Sequence, residues 1–367
     1  MRQTLLRILL DETWTFQSDA QVLFVGVGWL LVPWLLYGVI RLWLSVPGTR
    51  GLRAENVPPL LTWVGVAAAI LLVPSFIGPK VAPDGVPVYG YGFMLFVGFA
   101  VGGWAAARRS EQAGLGGDIM WDLAVWVFIS GIVGARLFYV VQYSDRIFTD
   151  EHGVSRHGLD WLKAAINLPD GGLVLYGGVL LGIAAYFVFC RRRKLNPLFM
   201  ADMVVPSVFI GLAFGRIGCF LNGCCYGDRC ELPWAVTFPQ GSQPFKILVE
   251  QGFVLPEALA SIPLHPTQLY SSINAMLLVF LTATYFKHRH RDGAVLAVGW
   301  VTYPVTRFVI EYLRGDEMGQ FDTSLTISQW VSIGLFCSGT LYALWLSSRP
   351  AKATMYVPAV EHAVKAV

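Results

Sequence analysis

Residues 200–221 read MADMVVPSVFIGLAFGRIGCFL. A helix needs roughly 20 mainly apolar residues to cross the hydrocarbon core of a bilayer, and this stretch supplies them. It carries only two charges, Asp202 and Arg216. Similar runs occur near 21–45, 58–78, 91–108, 119–142, 173–190, 267–286, 294–313 and 325–347, making nine in all. Within lipid every backbone polar group must be satisfied internally, and runs of this length do so as helices. The expected fold is therefore all-α: a polytopic transmembrane helical bundle of about nine spans.

Composition agrees. Hydrophobic residues make up 55% of the 367, charged residues 14%, and the mean hydropathy is +0.56. A soluble domain carries about 25% charged residues. The net charge of +3 is too small to point to nucleic acid, and the basic residues lie in loops beside apolar runs. The N-terminal MRQTLLRILLDETW is basic, then briefly apolar, and is cut short by acidic residues. No small-residue cleavage site follows, so a removable signal peptide is not expected.

Lysine and arginine bias sets the expected orientation. One set of loops holds Arg41, Arg50 and Arg53; Arg108 and Arg109; Arg191 to Lys194; Lys287, Arg289 and Arg291; then Arg349 and Lys352. The alternate set, 143–172, 222–266 and 314–324, is less basic for its length. Nine spans then put the N-terminus outside, the C-terminus in the cytoplasm, and 222–266 on the outer face. The organisation expected is an extension with two extra spans over 1–85, a membrane domain over 86–347 and a cytoplasmic tail over 348–367.

Ionisable residues at membrane depth are functional candidates by default. Arg136 lies in SGIVGARLFYVVQY, Asp202 and Arg216 in the opening stretch, and Arg307 and Glu311 in YPVTRFVIEYLRGDE. Spacing of four places Arg307 and Glu311 on one helix face, where mutual neutralisation is as good a reading as function. Three buried arginines with few anions nearby point instead to a missing anionic partner, and the guanidinium fork suits phosphate. The glycines of DGGLVLYGGVLLG (Gly171, Gly172, Gly177, Gly178) and of the sixth span read first as close helix packing. His265-Pro266-Thr267-Gln268-Leu269-Tyr270 reads as a helix entry, with His265 a hydrogen-bonding residue rather than a catalyst.

Four of the six cysteines, Cys219, Cys224, Cys225 and Cys230, cluster in CFLNGCCYGDRC. Their spacing admits zinc, but there is no CxxC pair and no histidine within the cluster. One or two structural disulfides in an oxidising compartment are the expectation, with a redox-active pair behind them. No metal and no cofactor are expected.

From Tyr91 to Trp345 the ordered motifs resemble the prolipoprotein diacylglyceryl transferases of bacterial cytoplasmic membranes. They are Tyr91-Gly92 with FMLFVGF, Arg136 in GARLFY, GGLVLYGGVLLG, Asp202 followed by GRIGCFLNGCCYG, HPTQLY, and YPVTRFVIEYLR. The chain departs from the family pattern in having Tyr176 for the usual His, Cys219 for an Asn and Cys224 for a Glu, which marks a divergent subtype. The resemblance implies transfer of the diacylglyceryl group of phosphatidylglycerol to the lipobox cysteine thiol of a preprolipoprotein, with release of glycerol phosphate. It implies catalytic roles for Arg216, Arg307, Tyr176 and Glu311. It implies substrate-binding roles for Tyr91, Arg136, Asp202, Asn222, Gly227, His265, Gln268 and Tyr303. Phosphatidylglycerol, preprolipoproteins and membrane lipids are then the partners, in the bacterial cytoplasmic (inner) membrane. Tyrosine titrates near pH 10, so Tyr176 is read as a hydrogen-bond donor to phosphate, with Glu311 or a water taking the thiol proton. Two other readings are a membrane thiol-disulfide oxidoreductase built on the outer cysteines and a non-catalytic phospholipid-binding relative.

Overall fold

The structure, a computed structural model, describes residues 4–10, 14–18, 22–33, 35–36, 66–69, 85–149, 159–166, 172, 174–314 and 319–351. Helices dominate. Among the described residues, seven are long and apolar enough to cross a membrane. They are α1 (Gly90–Gln112), α2 (Asp118–Gln142), α5 (Leu175–Arg192), α6 (Pro197–Asn222), α8 (Thr267–His288), α9 (Ala294–Glu311) and α10 (Ile327–Ser347). Shorter helices are α3 (Ser144–Phe148), α4 (Asp160–Ile166) and α7 (Gln243–Glu250). Each expected span from residue 91 onward has its helix, with ends moved by a few residues. Large apolar side chains stay exposed along them, among them Phe96, Val141, Phe280 and Leu341. A surface of that kind belongs to helices that face lipid.

The two earlier spans fare differently. Of 21–45 the structure describes 22–33 and 35–36, and of 58–78 only the short helical stretch 66–69; the rest lies outside the described residues. The start of the first is not helical: Leu23–Gly26 is a strand, β3, followed by a 3-10 turn over Val27–Leu30. With β1 (Thr4–Leu9), β2 (Phe16–Ser18) and β4 (Val86–Tyr89) it forms a four-stranded sheet in the order β2-β3-β1-β4. This corrects the all-α expectation. β1 runs parallel to β3 and antiparallel to β4, a partner far along the chain. Such pairing leaves no local period to read, and β4 takes the edge position where its Pro87 loses no ladder bond.

By its internal contacts the chain forms two compact units. The first comprises 1–97, 214–270 and 313–316. Besides the sheet it holds a small core of Tyr226, Phe238, Leu248 and Leu264 over the segment after α6. Bridges pair Gly227 with Arg314, and Leu264 with both Arg229 and Val236. The second unit comprises 98–213, 271–312 and 317–367. Its core packs Met120, Leu123, Phe189, Phe199, Met200, Met203 and Val295. Here α2 and α5 cross at glycine. A Cβ on Gly134 would overlap the carbonyl oxygen of Gly177, and one on Gly177 that of Gly134. Close helix packing is therefore the use of Gly177 and Gly178. A capping box starts α10: Thr326 Oγ1 accepts from Gln329 N at 3.2 Å while Gln329 Oε1 accepts from Thr326 N at 3.0 Å.

Candidate active site

In the first unit the candidate residues gather around the outgoing end of α6. Arg216 and Cys219 lie three residues apart and share a face of the helix. Gly218, between them, is where α1 comes closest: a Cβ there would stand 3.0 Å from the Tyr91 ring and 3.3 Å from its Cα. Tyr91 lies within the field of Arg216 and of Cys219, Cys224 and Cys225. Arg216 is half-buried, and among the described residues its guanidinium has no hydrogen-bond or ion-pair partner.

Past Asn222 the chain turns back on itself. Gly223 has φ +80 and Cys225 φ +60. The left-handed region costs a non-glycine residue about 1–2 kcal/mol, so something must hold Cys225 there. The first turn of α8 does so. Thr267 Oγ1 donates to Cys225 O at 2.8 Å, and the fully buried Gln268 donates through Nε2 to Cys224 O at 2.8 Å. The segment HPTQLY thus starts a helix, as expected, and also locks the cysteine turn, which the sequence reading missed. Gly227 is clamped beside it, its N–H donating to His265 O at 2.8 Å. A Cβ there would lie 2.5 Å from both His265 Cβ and Leu313 O. His265 Nδ1 stands 3.2 Å from Tyr270 Oη, which accepts from Trp234 Nε1 at 2.7 Å.

The cysteines correct the disulfide expectation. All six are free. The sulfurs of Cys219, Cys224 and Cys225 lie within 4.8 Å of one another without a bond between them, while Cys230 is buried outside that group. The Asn222 side chain also hydrogen-bonds Cys224.

The second unit holds the remaining candidates, most of them already engaged. Arg136 gives Nε to Ala165 O and Nη2 to Ala164 O, both at 2.7 Å, and Nη1 to Gly172 O at 2.9 Å. Its guanidinium also lies over the Tyr139 ring, 4.9 Å from the centroid. The fork satisfies carbonyls that the end of α4 leaves open. Asp202 is fully buried and accepts from Gly293 N at 2.8 Å and Leu296 N at 2.9 Å, with Arg289 Nε at 3.7 Å. Asp202 thus caps the start of α9. A carboxylate satisfies the orphan N–H groups of a helix start and complements its dipole.

Arg307 and Glu311 do pair, Nη1 to Oε2 at 2.6 Å within α9. Glu311 also accepts from Thr326 Oγ1 at 3.1 Å, and Arg307 Nη2 lies 3.2 Å from Ser328 Oγ. Tyr303 packs on Phe209, the ring centroids 6.0 Å apart. Tyr176 opens α5 and is 65% exposed.

Sequence reasoning passed over Arg289 as a loop charge. It stacks on Phe286, 4.0 Å from the ring centroid, beside Asp202. Burial pulls its guanidinium below the usual value, and the carboxylates of Asp202 and Asp292 pull it back. Asn196-Pro197 was the available signal: Asn196 Oδ1 accepts from Leu198 N at 3.0 Å, and its Nδ2 donates to Asp292 Oδ2 at 2.7 Å.

Residues 81–345 match the family described as prolipoprotein diacylglyceryl transferase. The chain belongs to that family. It is 31% identical to the phosphatidylglycerol–prolipoprotein diacylglyceryl transferase of Rhodopirellula baltica, over 87% of this chain and 86% of that one. It is 34% identical to the protein of the same name from Clostridium tetani, over 68% of this chain and 89% of that one. The Gloeobacter violaceus protein, again of that name, is 29% identical over 75% of this chain and 95% of that one. A match to 87% of this chain does not fit within 81–345, and the tail beyond 345 is too short to supply the difference. The Rhodopirellula protein therefore has counterparts of part of the sequence before residue 81. These names favour the transferase over a thiol-disulfide oxidoreductase.

Proposed function

We propose that this protein transfers the diacylglyceryl group of phosphatidylglycerol to the lipobox cysteine of preprolipoproteins and releases glycerol phosphate. The supporting observation is Arg216, a half-buried cation on a membrane-length helix with no protein anion or acceptor among the described residues. A permanent charge at such a depth is costly unless a partner of opposite sign arrives. The phosphate of a lipid donor is that partner. As the C–O bond breaks, negative charge grows on the departing phosphate, and a donor already in place stabilises it by up to a few kcal/mol.

The other roles follow from the family resemblance. Tyr176 donates a hydrogen bond to the phosphate, and Glu311 or a water accepts the thiol proton. Arg307 pairs with Glu311 and adds positive charge. Arg136, its donors directed to carbonyls, serves by fixing the segment around α4. The substrate-binding roles of Tyr91, Asn222, Gly227, His265, Gln268 and Tyr303 belong to the same proposal. The membrane is the bacterial inner membrane, the N-terminus lies outside and the C-terminus inside, and residues 222–266 face outward. Residues 1–85 form an accessory element with two further spans, giving nine.

The test is expression in cells depleted of their own transferase, together with a tagged lipobox preprolipoprotein read by intact mass. Gain of a diacylglyceryl mass on the lipobox cysteine, dependent on phosphatidylglycerol and lost in Arg216→Ala, is expected. An unmodified substrate beside a well-inserted protein would overturn the proposal.

A further inference from the structure

We propose that Cys219, Cys224 and Cys225 hold one zinc ion through three thiolates, and that its fourth position takes the lipobox thiol of the protein substrate. The inference rests on the transferase reading above.

The geometry comes first. Zinc–sulfur bonds of about 2.3 Å in a tetrahedron put sulfurs about 3.8 Å apart. The three sulfurs here lie within 4.8 Å of one another, so a small closure suffices. The fold also builds this cluster at a cost. Adjacent side chains of an extended strand point to opposite faces, so Cys224 and Cys225 would ordinarily diverge. The reversal through Gly223 and the left-handed Cys225 turns both thiols toward Cys219. Thr267 and Gln268 hold that reversal by the carbonyls of Cys225 and Cys224. Gln268 is fully buried, with its Oε1 unpartnered among the described residues. Its Nε2, donated to Cys224 O, fixes it against the cluster. Cys219 lies in the last turn of α6, where the helix dipole favours a cation.

The number of ligands carries the second half. No fourth Cys, His, Asp or Glu joins the group among the described residues. Cys230 is buried elsewhere, its N–H donated to Pro263 O at 2.9 Å. Three protein ligands with one position left over is the pattern of catalytic zinc, whereas structural sites close with four. A thiol that coordinates zinc is deprotonated outright, which is what the acceptor cysteine needs. The zinc-held sulfur attacks the glyceryl carbon, an S–C bond forms, and the C–O bond to phosphate breaks with its electron pair leaving on oxygen. The thiol proton ends on the glycerol phosphate, so charge and atoms balance with no oxidant or reductant.

The test uses the purified full-length protein in detergent. Metal analysis is expected to find stoichiometric zinc, retained in Cys337→Ser and lost in Cys219→Ser and Cys224→Ser. Protein reloaded with cobalt should show thiolate-to-cobalt charge-transfer absorption that shifts on adding a lipobox peptide but not its Cys→Ser version. Transfer by Cys224→Ser should fall by more than the roughly 10–100-fold that loss of an outer-shell partner costs at a metal site. Undiminished transfer after zinc removal, or in Cys224→Ser, would overturn the zinc site and leave the transferase standing. A cobalt spectrum indifferent to the peptide would likewise overturn the thiol-binding half. Failure to modify any preprolipoprotein, with the cobalt spectrum still responding to the peptide thiol, would count against the transferase reading alone.

Discussion

Arg216 in the first unit and Arg307 in the second present the same side chain from long apolar helices, and their surroundings differ completely. Arg307 is nine-tenths buried and answered within its own unit by Glu311 and Ser328. Arg216 is half-buried and unanswered by any described protein group. Arg136 sides with Arg307, its three guanidinium nitrogens each donating to a carbonyl and its face turned to Tyr139. A charge inside an apolar helix is thus either answered by its own fold, whatever else it does, or left open to a ligand. Only its partners tell which.

Substitutions break this comparison in graded steps. Glu311→Ala strands the Arg307 charge in a dry site, and about 3–5 kcal/mol of stability should go with it. Thermal unfolding in detergent checks this, and Glu311→Gln should fall well short of that loss. Arg216→Ala strands nothing. It should leave the unfolding temperature near wild type while lowering transfer by roughly 10²–10³-fold, measured by intact mass of the lipobox substrate. Equal loss of stability in both variants would erase the distinction. Arg216→Lys sharpens it further: transfer as fast as wild type would show that point charge suffices and that no bidentate clamp operates.

A third variant tests packing alone. Gly134→Val pushes Cβ and its methyls into the Gly177 carbonyl, and overpacking of this kind costs about 1–3 kcal/mol. It should lower the unfolding temperature whether or not lipid substrate is present. Asp202→Ala removes the cap from α9 and should cost about 0.5–2 kcal/mol, with Asp202→Asn recovering part of it in the same assay. Tyr176→Phe is expected to do least. Loss of one neutral hydrogen bond, about 0.5–1.5 kcal/mol, corresponds to transfer slower by roughly 2–10-fold. Turnover at the wild-type rate would remove Tyr176 from the reaction.

Much of this architecture was legible before any coordinates. Seven apolar runs became seven helices because lipid leaves the backbone no alternative, and length alone then marks a span. The sheet was hidden, since β1 finds β4 across about eighty intervening residues and neither strand alternates long enough to announce itself. The pairing of Arg307 with Glu311 was visible from the spacing of four, which is intrinsic to a helix. The capping of α9 by Asp202 was not legible, because its partners, Gly293 N and Leu296 N, sit some ninety residues later. The disulfide expectation failed for a related reason. Compartment and count describe what cysteines commonly do, but the reversal at Gly223 and Cys225 decides which sulfurs meet.

By itself the sequence determined the seven apolar helices from residue 91 onward, the family and the residue types they carry. Each of these is a property of a contiguous window or of an ordered set of motifs. The tertiary structure decided which charges are spent and which are held ready. It closed Arg136 on the carbonyls of α4 and Gly172, placed Asp202 under α9, and folded three thiols together under the first turn of α8. Those outcomes depend on partners distant in sequence, and a buried polar group takes its role from whichever partner the packing brings within hydrogen-bonding reach.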